Sequence, residues 1–153
     1  MYVCSHLPGG QPIAADVQVP QAIRELWAAQ KQLSEFLDIT EIEAIGPLVI
    51  LHNWGAWLKD SLWLHFIDNN GALSSLVKGS SSVNQLDLIV GETWRLIAEL
   101  QVLVWFDRVD SKSNPIDGVS RGWFEGPWVM QDVVFPNSIL DDLACEMLKQ
   151  CGL

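Results

Sequence analysis

Three carboxylates stand where an apolar run gives way to a turn or a helix: Glu43 in "TEIEAIG", Asp68 ending "LWLHFID", and Asp117 in "SNPIDG". Such acids either cap helices or hold cations. Three converging carboxylates repel one another unless a cation sits between them. Hard oxygen ligands in that number suit Mg²⁺ or Mn²⁺. Each acid also has a purely local reading. Thr40-x-x-Glu43 has the form of a capping box, Asp68 can cap the helix that follows it, and Asn114-Pro115-x-Asp117 has the form of a capped helix with proline at its first position. Spacing alone leaves both open.

The elements that must position these acids follow from periodicity. Residues 2–8 and 12–19 are β-leaning runs around "PGGQ", a hairpin signal. From Gln21 the apolar positions Ile23, Leu26, Trp27, Leu33, Phe36 and Leu37 recur at helical spacing. A second helix is expected from near Thr40 to Leu58, interrupted or kinked at Pro47. Residues 62–67 form a nearly continuous apolar strand, as a strand covered on both faces would. A short helix ending at Gly79, an amphipathic helix over 84–100, a second buried strand over 102–109, a helical turn near Pro115 and a final helix over 138–150 complete the order.

This order predicts an α/β domain with one mixed sheet, a hairpin plus parallel strands joined by helical crossovers. Ligands of open α/β sheets gather beyond the carboxyl ends of the strands. Asp68 is at such an end, Asp117 follows the next strand, and a helix packed on the sheet can bring Glu43 there.

The net charge of −10 over 153 residues disfavours a free-standing nucleic-acid binder, which needs Lys and Arg to displace counterions. It is compatible with an acidic pocket that holds cations. Three cysteines without ligand spacing (Cys4, Cys145, Cys151) read as reduced, intracellular thiols. No apolar run reaches the ~20 residues of a membrane span, and the amino terminus does not read as a signal peptide. Most of the eight tryptophans are expected in the core.

"FIDNNGALSSLVKGSS", then an amphipathic helix, then "VWFDRVDSKSNPIDGVSRG" resembles the ribonuclease H domain of retroelement reverse transcriptases, DIRS-like and related forms above all. "ITEIEAIGPLVIL" resembles that family's glutamate-bearing helix and "HLPGGQPIAADVQVP" its second and third strands. The resemblance covers residues 2–122, leaving 123–153 as a carboxyl-terminal extension with one helix packed on the domain. It implies a ribonuclease H-like mixed sheet flanked by helices, and hydrolysis of RNA in RNA–DNA hybrids with two Mg²⁺ or Mn²⁺ ions ~4 Å apart. Glu43, Asp68 and Asp117 match three of the four catalytic, metal-binding carboxylates, with Glu41 as the alternative to Glu43.

The family's first strand, with its fourth carboxylate, has no counterpart here; Asp16 sits on the hairpin's return strand. The expectation is an amino-terminally truncated domain of weak or no activity. Its hairpin either pairs directly with residues 62–67 or stands beside a gap. The missing strand could come from a partner chain, and a polymerase domain is the expected upstream neighbour. Lys112, Arg121 and Asn69 are the expected substrate-binding residues; Lys78 reads as solvated surface and His65 as a packed histidine facing away from Asp68. The competing expectation is a non-catalytic domain fragment or interaction module whose acids are helix caps.

Overall fold

A computed structural model describes residues 2–5, 10–25, 38–114 and 128–150. The helical positions expected over 26–37, the turn at Pro115, Asp117, Arg121, Trp123 and Phe124 lie outside the described residues. The chain is mixed α/β. Strands β1 (Tyr2–Ser5) and β2 (Ile13–Asp16) form the expected antiparallel hairpin, with Tyr2 opposite Asp16 and Ser5 opposite Ile13. Residues 21–25 are helical (α1).

Helix α2 (Asp38–Leu58) is the centre of the molecule and packs against β1, β3 and two later helices. Its apolar residues run all round it rather than along one stripe, as in a helix enclosed on several sides. It continues through Pro47, whose ring nitrogen cannot donate to the Glu43 carbonyl. An interior proline costs ~3 kcal/mol. Ala44, Ile45, Leu48, Val49 and Leu51 are all buried around it, and at ~1.5–3 kcal/mol for each large aliphatic their burial outweighs that cost.

Strand β3 (Leu62–Ile67) is followed by α3 (Asn70–Lys78), α4 (Asn84–Glu99) and β4 (Leu103–Arg108). The two strands are parallel, with Leu62 opposite Leu103 and Ile67 opposite Arg108, joined by the helical crossover that parallel pairing needs. Gly79 ends α3 in the left-handed conformation (φ 76°), its N–H shared between Ser75 O at 2.9 Å and Leu76 O at 3.2 Å. Helix α4 buries Leu86, Ile89, Val90 and Ile97 and packs on α2, while the Trp94 indole N–H donates to Leu76 O at 2.9 Å.

Two expectations are corrected. The first is the single mixed sheet. Among the described residues there are two sheets, β1–β2–β5 and β3–β4. The hairpin does not pair with residues 62–67; no described strand lies between β1 and β3. β2 instead pairs in parallel with the two-residue β5 (Val129–Met130), through Val129 N to Pro12 O at 2.9 Å and Gln131 N to Ala14 O at 2.8 Å.

The second correction is that, among the described residues, β3 and β4 are covered on one face only. Trp63 and Ile67 are buried, whereas Leu62, Leu64 and Phe66 are exposed, as are Leu103 and Trp105 of β4. A continuous apolar run is the signature of two covered faces, and here it has one. The tryptophans divide likewise: Trp54 and Trp63 are core, Trp57 and Trp105 are exposed.

The carboxyl-terminal region is built into this core. Phe135, Ile139 and Leu143 are buried, and a 3₁₀ turn (Asn137–Ile139) leads into α5 (Leu140–Gln150), which packs on α4. Asn53 of α2 grips the approach to that turn, donating to Val134 O and accepting from Val134 N, each at 2.9 Å.

Candidate carboxylate site

Helix α2 is described from Asp38 onward, so Thr40 and Glu43 lie inside it rather than at its cap. Strand β3 delivers Asp68 one residue past its last paired residue. The Glu43 carboxyl is half-buried, beside that of Asp68 and near the backbone amide of Asn69. Burial, then the Asp68 hydrogen bond and charge, push Glu43 up to about 8 from its ordinary 4.5, against the opposing pull of the Asn69 amide. At neutral pH such a carboxyl keeps its proton; a cation bound beside it would take that proton's place.

The local readings of these two acids are overturned. The cap of α3 is Asn69: its Oδ1 accepts from Ala72 N at 3.0 Å, and its Nδ2 donates to Thr40 Oγ1 at 3.5 Å. That leaves Asp68 for Glu43. The capping box at Thr40 does not form either, since the Glu43 carboxyl reaches forward to Asp68 and Asn69. The junction is tight: a Cβ on Gly71 would stand 3.1 Å from Thr40 Cγ2 and 3.2 Å from Asn69 Oδ1. Glu41, the alternative acid, is buried within α2.

Of the expected site residues, the structure brings together Glu43, Asp68 and Asn69. Asn69 has both ends of its side chain engaged in the fold. Lys112 lies exposed in a 3₁₀ turn (Ser111–Ser113) just beyond β4. Asp117 and Arg121 are outside the described residues, so their placement relative to the pair is not described.

The sequence reading missed Arg108. It ends β4 opposite Ile67, on the same sheet edge as Asp68, and donates from Nη1 to Asn70 Oδ1 at 2.9 Å. Its other nitrogen stands 3.8 Å from Asp110, an exposed pair that contributes little to stability. Its signal was available: Arg108 terminates an apolar run just as Asp68 does. His65 is packed as expected, edge-on between Trp63 and Phe106 with ring centroids 4.8 and 5.9 Å away. Burial lowers it to about 4, so it is neutral at physiological pH.

Among the described residues, no group of three or more His, Cys, Asp or Glu is gathered to hold a metal; the described acids supply a pair. No described helix is long and apolar enough to cross a membrane. Comparison with protein-family models, with curated proteins and with solved structures finds no match for this chain.

Proposed function

We propose that the chain is a ribonuclease H-like domain of the retroelement reverse-transcriptase type, with an inherited chemistry of metal-dependent hydrolysis of RNA in RNA–DNA hybrids. The observation that carries this reading is the Glu43–Asp68 pair at the carboxyl end of β3. A helix acid and a strand-end acid stand side by side where ligands of parallel sheets bind. The crossover order β3–α3–α4–β4 also supports it.

The donor set fits a hard divalent cation, since both groups offer carboxylate oxygens. Glu43 and Asp68 would hold Mg²⁺ or Mn²⁺, with Asp117 as the proposed third ligand. The ions of such a site polarise the scissile phosphate and activate water. The Asn69 cap fixes the turn that aims Asp68, and its backbone amide lies near Glu43 and opposes the rise of that carboxyl. Arg108 at the end of β4 and Lys112 just past it are, with Arg121, the proposed phosphate contacts. Three matched carboxylates, against four in the family, imply weak or no turnover by these residues alone.

The test is cleavage of a labelled RNA–DNA hybrid by the purified chain with Mg²⁺ or Mn²⁺, beside calorimetric titration of Mn²⁺. The expected result is saturable Mn²⁺ binding lost in Asp68→Asn, with at most slow nicking lost in the same variant. Binding and nicking that are identical in the wild type and in Asp68→Asn would overturn the proposal. The second reading, an interaction module, draws on another observation, the exposed apolar face of β3 and β4.

A further inference from the structure

Leu62, Leu64 and Phe66 of β3 and Leu103 and Trp105 of β4 share one face of the two-stranded sheet, and each is 56 to 72 % exposed. The register sets Leu62 beside Leu103 and Leu64 beside Trp105, so the five form one continuous stripe. An isolated exposed leucine needs no explanation, but a stripe of this size does. With large side chains burying ~150–250 Å² each, more than half of five is on the order of 600 Å² of apolar surface. That is at the upper end of the largest patch on an ordinary monomer, ~300–600 Å². It approaches the ~800 Å² that each partner contributes to a specific interface.

We propose that this face is the interface of a symmetric dimer and that its occupant is a second copy of the chain. Three features point to self-association. The area is close to what one half of a stable dimer needs, the flanking backbone supplying the remainder. A sheet face packs on another sheet face at ~10 Å spacing with side chains interleaved, so a flat apolar stripe is complementary to itself. The third feature is the placement of charge.

The chain carries −10 overall, yet among the paired strand residues this face carries one charged side chain, Asp107, opposite Phe66 at its carboxyl end. A two-fold axis near Leu64 and Trp105 that runs the strands of the two copies antiparallel holds the two Asp107 carboxylates at opposite ends. The apolar residues then meet in the middle. The proposal is independent of the nuclease reading, because it uses no residue of the carboxylate pair.

Sedimentation velocity on the full chain over a micromolar concentration series tests it, with Trp105→Lys and Leu64→Lys as interface variants. Val77→Lys, at an exposed site on α3, is the control. The expected result is a wild-type dimer that tightens as salt screens the net charge. Each interface variant weakens it at least ~tenfold, since tryptophan anchors dominate such interfaces. Val77→Lys leaves it unchanged.

Hydroxyl-radical footprinting of the wild type keeps the test decisive should a variant misfold. Protection of Leu64 and Trp105 that appears only as concentration rises supports the dimer. A monomer throughout the series, or a dimer indifferent to both lysines, overturns it. So does a face protected at every concentration, which would mean that another part of the same chain covers it.

Discussion

The Glu43 carboxyl lies half-buried beside that of Asp68, and burial first, then its neighbour, hold Glu43 up to about 8, so that it keeps its proton at neutral pH. The sign of the consequence for stability follows from proton counting. Below the ordinary value of 4.5 the folded and unfolded chains both bind this proton; between 4.5 and about 8 only the folded chain does. Stability from this group is therefore complete below 4.5 and is lost as pH rises to about 8. Glu43→Gln removes the titration and keeps the shape. Urea denaturation should show the wild type losing stability relative to Glu43→Gln as pH rises through this window. Mg²⁺ should restore wild-type stability more at the alkaline end than at the acid end. Parallel pH profiles for the two proteins would sink the account of a raised Glu43 carboxyl.

His65 titrates in the opposite sense. Burial lowers it from 6.5 to about 4, so between those values the unfolded chain binds a proton that the folded chain refuses. Its contribution is present above 6.5 and is lost as pH falls through about 4. Between roughly 4.5 and 6.5 the slopes of Glu43 and His65 oppose each other, and the wild type should show a plateau. His65→Phe, which keeps an aromatic ring between Trp63 and Phe106, should replace that plateau with a fall in stability as pH rises. An unchanged profile would mean that His65 takes up its proton without unfolding the chain.

Asn69→Ala removes the α3 cap and should cost about 1 kcal/mol, within the ~0.5–2 kcal/mol range of such caps. It also vacates the position next to Asp68. If Asp68 then turns to the helix amides, it leaves Glu43, whose titration should move down toward the ordinary carboxyl range. Carboxyl chemical shifts followed by NMR would read this directly. Asn69→Asp, which keeps an accepting oxygen, should retain the cap and show little loss.

Asn53→Ala cuts both hydrogen bonds to Val134 and should destabilise the chain by ~0.5–1.5 kcal/mol, since the exposed Val134 groups can turn to water once unpaired. The loss should appear first as faster amide exchange at Val134 and in the turn at Asn137–Ile139. Uniformly faster exchange over the whole molecule would show instead that Asn53 holds the global fold rather than this segment.

Local chemistry made the helices legible. Gly79 needed a left-handed cap, α4 has one apolar stripe, and both element ends fall within a residue of the expected places. The pairing of Glu43 with Asp68 was also foreseeable, because a strand-end acid and a helix acid meet naturally at a sheet edge. What failed was the inference from continuous hydrophobicity to two covered faces. The run Leu62–Ile67 is apolar whether its outer face meets a helix, another copy or water, so composition cannot distinguish them. β5 was missed because two residues carry no periodicity; its strand character comes wholly from docking on β2. Asn69 taking the cap turned on one residue of register, which caps routinely do not reveal in advance.

The split into two sheets sets an order of assembly. β3, α3, α4 and β4 form one contiguous stretch of chain, and the β3–β4 pairing joins Leu62 to Leu103 within it. The β2–β5 pairing joins Ile13 to Val129 across most of the chain, a costly closure rewarded by a two-residue contact. β5 is therefore a clasp rather than a scaffold: last to fasten during folding, first to release under stress, and the place where proteolysis of the native chain should begin.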